Sequence, residues 1–330
     1  MKLEKLAIVG LGSAGRRHLR LVRELRPDLK ITVVRSGNVQ IRFPEEKLAQ
    51  CTVQSIEGAI RNGVQAAIIA SPSTFHIHHS TQFAKAGVHL MVEKPLSHDN
   101  QGLNQFKELV NRNNLKILVG YVLRYDPAGR HFAGILNSGK IGQKLHARIE
   151  CGSYLPDWRP ERNYRETVSA RKELGGGVLL ELSHEVDYAR WFFGPFVRIQ
   201  AFLSNSGSLG IDVEECAELL LETKEGLPVQ IHLDFHRRHP QRTCTLRTSE
   251  GQLCWDILSK EVHWKPVNGE SKVDSFEFDL DSLYLEQLQH FLDYLEGHIS
   301  PVVSLQDGIA ALGLVDAARQ SHHIARVIDL

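Results

Sequence analysis

Three glycines near the start of the chain have the spacing of a nucleotide-binding turn. Gly10, Gly12 and Gly15 follow a short apolar run and precede a helical pattern. In such a strand–turn–helix unit the first glycine permits the sharp turn, the second lets a pyrophosphate approach the backbone, and the third lets the helix pack close to the strand. The N–H groups of Ser13 and Ala14, at the positive end of the helix, then face the anion. The spacing favours dinucleotide binding over a merely structural turn.

The residues after the second predicted strand bear on cofactor choice. An acidic residue at this point accepts hydrogen bonds from the ribose hydroxyls of NAD. Here Arg35 and Ser36 stand instead, and a guanidinium beside a hydroxyl suits the 2′-phosphate of NADP. The sequence favours NADP, with NAD as the alternative cofactor and an ordinary surface arginine as the alternative interpretation.

The loop after the fourth predicted strand carries Ser71 and Pro72 and leads into a helix with His76, His78 and His79. The proline ends the strand, and a hydroxyl of the loop is expected to cap the helix. Three histidines in four positions raise the question of a metal, but no Cys, Asp or Glu at ligand spacing joins them. We therefore predict no metal site, and a helix start that lines the nicotinamide pocket.

The fifth predicted strand runs into Glu93, Lys94 and Pro95. Proline forces the residue before it into an extended conformation, which holds Lys94 at the end of the strand over the cofactor edge. A lysine there can hydrogen-bond or protonate a substrate oxygen. A solvent-facing lysine is the alternative interpretation.

Length and composition limit the classes of function. The 330 residues suit two domains. Lys plus Arg and Asp plus Glu number 39 each, so no net charge favours a nucleic acid or a membrane surface as partner. Five scattered cysteines form neither a disulfide framework nor a zinc knuckle, which predicts a reducing cytoplasm. We find no signal peptide and no membrane-spanning run, and expect a small-molecule partner.

The elements that must position these residues follow from the apolar runs. In the first half, strands alternate with helices, which predicts a parallel sheet and a Rossmann domain over 1–122. In the second half, many strands follow one another with short polar connections, which predicts an open, mainly antiparallel sheet in a substrate-binding domain over 123–330. The strands are predicted at 145–151, 197–203, 217–221, 229–235, 244–247, 253–258 and 261–264. Helices predicted at 177–193, 283–295 and 305–319 cover part of this sheet.

The motifs together resemble the Gfo/Idh/MocA oxidoreductases. The resemblance rests on the glycine turn, the Ser-Pro-Ser-x-x-His motif ending at His76, Glu-Lys-Pro at 93–95, Gly-Tyr-x-x-Arg-Tyr-Asp-Pro at 120–127, and the stretch 175–187. It implies an NAD(P)-binding Rossmann domain and a second domain whose sheet carries the substrate site on one face and often an oligomer interface on the other.

The same resemblance assigns a proton-carrying role to His184. In the family a carboxylate four positions earlier, on the same helix, orients this histidine. Here position 180 is Leu, so Glu181, three before, or Asp187, three after, is the candidate. A purely structural role for Asp187 is the alternative.

Aromatic and arginine side chains are concentrated between residues 154 and 172. Aromatic planes stack on sugar rings or bases, and guanidiniums bind phosphate or carboxylate. A subunit contact is the alternative. The candidate substrate contacts, including one from the 120–127 motif, are Tyr125, Trp158, Arg159, Tyr164, Arg165, Arg171, Glu181 and Asp187.

We therefore expect an oxidoreductase that transfers a hydride between nicotinamide and a hydroxyl or keto carbon of a sugar or nucleotide-sugar, with Lys94 and His184 as catalytic residues and a homo-oligomeric, cytoplasmic enzyme. The alternatives are an NADP-binding sensor or scaffold without turnover, and an enzyme with transient redox and no net cofactor turnover.

Overall fold

The computed structural model describes residues 2–35 and 43–330. Up to residue 122, strands and helices alternate as the apolar runs predict. These elements are β1 (Lys5–Val9), α1 (Ser13–Leu25), β2 (Lys30–Val34), β3 (Cys51–Val53), α2 (Ile56–Arg61), β4 (Ala66–Ile69), α3 (His76–Lys85), β5 (His89–Glu93), α4 (Leu103–Arg112) and β6 (Ile117–Gly120).

Among the described residues, these strands form a six-stranded parallel sheet in the order β3-β2-β1-β4-β5-β6. The four residues of β4 are buried without alternation, as expected for strands covered on both faces. The strand order reverses between β1 and β4, and open sheets of this type bind ligands outside the carboxyl ends of the strands at that point. The predicted Rossmann sheet is confirmed, and Gly10, Ser71 and Lys94 follow their strands at the carboxyl edge of this sheet.

The rest of the chain begins with a helix and continues mainly as strands. Its elements are α5 (Pro127–Leu136), β7 (Lys144–Gly152), α6 (Val178–Glu181), α7 (Ser183–Phe193), β8 (Phe196–Ser204), β9 (Cys216–Thr223), β10 (Pro228–Asp234), β11 (Gln241–Thr248), β12 (Gly251–Asp256), β13 (Glu261–Pro266), β14 (Lys272–Ser275), α8 (Leu280–Glu296), α9 (Leu305–Ile324) and β15 (Ile328–Asp329).

In the described part of the chain these strands form a nine-stranded sheet, ordered β14-β13-β12-β11-β7-β10-β9-β8-β15. Neighbouring strands are antiparallel except β7 and β10, which are parallel. The prediction of an open, mainly antiparallel sheet is confirmed. Side chains alternate between a buried face, where α5, α6 and α7 pack, and a face with partly exposed residues.

The chain divides into two units, one of residues 1–122 with 278–309 and one of 123–277 with 310–330. The predicted second domain, 123–330, therefore differs from the structure, because the segment with α8 belongs to the first unit. Phe291 and Leu295 of α8 share a buried core with Leu19 and Val22 of α1. None of the described helices is both long enough and apolar enough to cross a membrane.

Candidate active site

The glycine turn has the geometry that its spacing predicts. Gly10 has a φ of +88°, and a Cβ on it would lie 2.8 Å from the carbonyl oxygen of Ala70. A Cβ on Gly15 would lie 2.0 Å from the carbonyl oxygen of Gly10. Only glycine fits at either position, because any side chain would collide with backbone.

Gly12 differs from its two neighbours in this turn. Its φ is −66°, and a Cβ there would meet nothing within 4 Å. Neither backbone conformation nor protein packing therefore requires a glycine here, whereas a ligand that approaches the backbone does. Ser13 and Ala14 begin α1 directly after it, without an acidic residue in the first turn. These residues fit a pyrophosphate, which is bound by free backbone N–H groups at a helix N-terminus.

Arg35, directly after β2, is ion-paired. Its Nη1 lies 2.6 Å from Oε1 of Glu46, and the two side chains are 12% and 8% exposed. The guanidinium also lies over the ring of Phe43. The argument for NADP treated Arg35 as available to a phosphate, and the structure shows that its charge already has a buried counter-charge. Ser36, the other residue of that argument, lies outside the described residues.

The loop after β4 is held to the Glu-Lys-Pro motif through His76. The ring is buried, with Nδ1 2.8 Å from the carbonyl oxygen of Pro95 and Nε2 2.7 Å from that of Ser71. Burial lowers the pKa of His76, so the neutral ring donates from one nitrogen at a time. The expected hydroxyl cap is wrong: a 3-10 turn precedes α3, and Phe75 takes the cap position without a side-chain hydrogen bond. The imidazole instead lies between the carbonyl oxygens of Ser71 and Pro95 and donates to one of them at a time.

Lys94 follows a buried hydrogen-bonded pair. Nε2 of His18, on α1, lies 2.5 Å from Oε1 of Glu93, and both side chains are buried. Burial by itself raises the pKa of Glu93, but the hydrogen bond and charge of His18 hold it below its ordinary value. Oε2 of Glu93 accepts a hydrogen bond from the backbone N–H of Lys94 at 3.2 Å. The carboxylate thus links α1 to the backbone of Lys94, whose side chain is half-buried.

The region around His184 departs from its prediction. The expected single helix over 177–193 is two helices, α6 and α7, separated at Leu182. Glu181 ends α6 and His184 belongs to α7, so the helical spacing that was to bring them together does not apply. Asp187 does share α7 with His184, three positions on.

Both acidic residues that follow His184 in α7 form ion pairs with arginines. Asp187 is 2% exposed and accepts a bidentate pair from Arg124, with distances of 2.7 and 2.9 Å. Glu185 is fully buried and pairs with Arg242 of β11 at 2.7 Å. Two ion pairs to other parts of the second unit therefore fix the turn of α7 that carries His184.

The predicted substrate contacts have different surroundings. Tyr125 is fully buried, with Arg130 over its ring, so its burial gives no support to a substrate contact. Between 154 and 174 the chain forms short 3-10 turns instead of helices or strands. There Trp158 donates to Ser153, and Arg171 pairs with Glu173.

Two more predicted contacts share one backbone acceptor in this segment. The hydroxyl of Tyr164 and Nε of Arg165 both donate to the carbonyl oxygen of Leu209, at 2.8 and 3.1 Å. Arg159 is partly exposed and Arg165 exposed, so guanidiniums remain at the surface of this segment.

One side-chain cluster on the second sheet has the character of metal ligands. Among the described residues, donor atoms of Cys216, Glu218 and His232 lie within 4.8 Å of one another. The two ring nitrogens of His232, however, lie 2.6 Å from Glu218 and 3.0 Å from Asp234. Burial raises the pKa of the Cys216 thiol, which disfavours the thiolate that binds metals. The imidazole is saturated by carboxylates, and we assign no metal to it.

Four residues of these sites were not identified from the sequence: His18, Glu46, Arg124 and Glu185. His18 carried a signal, since a histidine on the buried face of an amphipathic helix needs a partner. Arg124 lies within the 120–127 motif, where burial is not visible in the sequence. Glu46 and Glu185 carried none, because their arginines, 11 and 57 positions away, share no element with them.

Comparison with known proteins agrees with this architecture. Residues 5–121 match the model of an oxidoreductase family with an NAD-binding Rossmann fold, and residues 130–254 match the GFO/IDH/MocA C-terminal domain. An uncharacterized oxidoreductase from Synechocystis sp. is 29% identical over 182 residues, which are 52% of this chain and 48% of that protein. The aligned part thus spans about half the length of that relative.

Two solved structures share the fold over nearly the whole chain. Levoglucosan dehydrogenase in complex with NADH and levoglucosan has a TM-score of 0.88 at 17% identity, covering 99% of both chains. The WlbA dehydrogenase from Bordetella pertussis, in complex with NADH and UDP-GlcNAcA, has a TM-score of 0.84 at 17% identity, covering 100% of this chain and 99% of that one. With both of its parts matched by models of one family, the chain belongs to the GFO/IDH/MocA oxidoreductases.

Proposed function

We propose that the protein is a nicotinamide-dependent oxidoreductase that acts on a hydroxyl or keto carbon of a sugar or nucleotide-sugar. One observation carries the proposal. The carboxyl ends of β1, β4 and β5 lie at one edge of a parallel sheet. The Gly12 turn, the loop that contacts His76, and Lys94, whose backbone N–H bonds to Glu93, follow these strands at that edge. A dinucleotide cradle and a lysine on one sheet edge suit redox chemistry at a carbon that bears oxygen.

The roles of the side chains follow from their chemistry. A bound nicotinamide supplies the ring that accepts or gives a hydride. Lys94 donates a hydrogen bond to the reacting oxygen and stabilises the negative charge that develops on it. His184 carries the proton of the substrate hydroxyl, on a turn of α7 held by the ion pairs of Asp187 and Glu185.

A sugar substrate is supported by two lines of argument. Two proteins of the same fold bind levoglucosan and UDP-GlcNAcA, respectively. In this chain, the segment 154–174 combines aromatic rings that can stack on a sugar with the surface guanidiniums of Arg159 and Arg165, which can bind a diphosphate or a carboxylate. A nucleotide-linked or acidic sugar uses both features, whereas a neutral monosaccharide uses only the first.

The finer properties of the enzyme remain predictions. Arg35 supports NADP over NAD, although its ion pair with Glu46 weakens that argument. The described cysteines are free, which supports the cytoplasm. Phe202 and Leu220 are 66% and 52% exposed on the open face of the second sheet, which supports a homo-oligomer formed through that face.

The test is a binding and turnover screen with purified protein. Binding of NADH and NADPH is measured by fluorescence titration, and sugars and nucleotide-sugars are then screened for thermal stabilisation in the presence of cofactor. Substrates that stabilise the protein are assayed through the absorbance of the reduced nicotinamide. Cofactor binding without turnover of any stabilising sugar would favour a sensor, and product formation without a net absorbance change would favour transient redox.

A further inference from the structure

Glu46 contacts the residue that stands where cofactor choice is decided in Rossmann folds. The residue at the end of the second strand faces the ribose of the adenosine, and here that residue is Arg35. Glu46, in the 3-10 helix Pro44–Leu48, places a carboxylate oxygen 2.6 Å from its guanidinium. The sequence places only the cation of Arg35 at the end of β2. In the structure the anion of Glu46 lies beside it.

The carboxylate is fixed in place. Oε1 of Glu46, besides its bond to Arg35, accepts a hydrogen bond from the backbone N–H of Phe43 at 3.0 Å. The ring of Phe43 lies under the guanidinium, with its centroid 5.2 Å away. The side chain of Glu46 is 8% exposed. An acid held by the backbone and by a partly buried guanidinium is restrained in this position.

The two cofactors differ in what they present to this pair. NADP presents a 2′-phosphate, whose negative charge the guanidinium attracts and the carboxylate repels. NAD presents two ribose hydroxyls, which donate hydrogen bonds to a carboxylate. We propose that Glu46 is a determinant of cofactor specificity that opposes Arg35, by accepting hydrogen bonds from the ribose of NAD and disfavouring the 2′-phosphate of NADP. The inference rests on the proposed function only in requiring that a nicotinamide dinucleotide binds.

Glu45 provides a matched control. It lies in the same 3-10 helix and carries the same charge, but it is directed to a different arginine, with 3.6 Å to Nη1 of Arg16. Substitution of either glutamate by glutamine removes one negative charge from the same short helix. A difference between the two variants therefore reports on the local contacts of Glu46, with Arg35 and Phe43, and not on the general field.

The experiment measures the dissociation constants of NADH and NADPH by fluorescence titration for wild type, Glu46→Gln and Glu45→Gln, without any substrate. A charged hydrogen bond predicts a change of roughly ten-fold or more. Glu46→Gln should therefore shift the ratio of the two constants at least ten-fold toward NADPH, while Glu45→Gln should shift it no more than about three-fold. An unchanged ratio in Glu46→Gln, or an equal shift in both variants, overturns the proposal.

Two additions keep the outcomes separate. Circular dichroism checks folding, and Glu46→Ser, a second neutral variant, must shift the ratio in the same direction; a shift toward NADH overturns the proposal. If wild-type protein binds neither cofactor, the proposed function itself fails, and with it the specificity role. If both cofactors bind but no sugar is turned over, the specificity role of Glu46 is still tested in full.

Discussion

Replacement of His18 by leucine tests the buried hydrogen bond between His18 and Glu93, on which the position of Lys94 depends. The histidine is fully buried and lies 2.5 Å from Glu93. Leucine has a comparable volume but no donor, so the carboxylate of Glu93 would remain buried with the N–H of Lys94 as its contact in the loop. A buried charge that loses its partner costs far more than an exposed one, because water cannot replace the lost bond.

The expected size follows from the burial of both partners. Removal of one partner of a buried pair costs about 3–5 kcal/mol, which for a domain of this size lowers the melting temperature by roughly 6–20 °C. The assay is thermal and urea unfolding followed by circular dichroism. His78→Leu is the control, since His78 is exposed on α3, and a surface change of this kind stays within about 0.5 kcal/mol. A second variant with leucine at both 18 and 93 should recover much of the loss, because it leaves no unpaired charge.

The pH dependence supplies a further check. The pKa of Glu93 is lowered from its ordinary value of 4.5. Its contribution to stability is therefore fully present above about pH 4.5 and is lost as the pH falls through the folded-state pKa. The acid limb of the wild-type stability curve should be steeper than that of the double leucine variant. The reasoning about this pair is wrong if His18→Leu has the same melting temperature as His78→Leu. It is also wrong if the double leucine variant is less stable than His18→Leu.

Four other variants test the site. Lys94→Ala should lower kcat by roughly 10²-fold or more, because it removes charge stabilisation from the reacting oxygen, while cofactor affinity changes little; wild-type turnover would misplace the site. His184→Asn should be almost inactive. Asp187→Asn should lower kcat less but destabilise the protein by about 3 kcal/mol, since it breaks the pair with Arg124. An unaltered pH–rate profile in both variants would contradict the proposed proton relay. Gly12→Ala should keep wild-type stability but lose cofactor affinity at least ten-fold in titration, because its Cβ meets no protein atom and fills only the space for a ligand; retained affinity would contradict the cradle.

The strands were predictable where burial requires a recognisable pattern of apolar residues. The runs in β1, β2, β4 and β5 are apolar because both faces of a parallel sheet are covered. By the same reasoning β14 was missed, since all four of its residues are exposed, and a strand without a buried face has no pattern to detect. The apolar stripe of α8 was visible, but a stripe does not specify its partner, so the helix was assigned to the wrong domain.

The cofactor edge shows where such reasoning ends. The roles of Gly10 and Gly15 are local, because each concerns backbone within a few residues or on a neighbouring strand, and the spacing alone predicted them. The electrostatic environment of Arg35 is not local. It depends on Glu46, eleven positions away, and on the 3-10 helix that turns the carboxylate back toward β2. A motif shows which residue stands at a position. The electrostatic potential at that position also depends on the side chains that contact it in the folded protein.

His184 shows the same distinction in the second unit. The sequence offered two carboxylates at helical spacing to replace the missing one at position 180, where Leu180 is buried. The break at Leu182 removes Glu181 from the helix of His184, and Asp187 uses both oxygens on Arg124. Asp187 and Glu185 fix the backbone of α7, which carries the histidine, through arginines from the 120–127 motif and from β11. Asp187, which was expected to orient the imidazole, stabilises the helix that carries it through Arg124. Loss of Asp187 should therefore lower the free energy of unfolding more clearly than it lowers the rate of proton transfer.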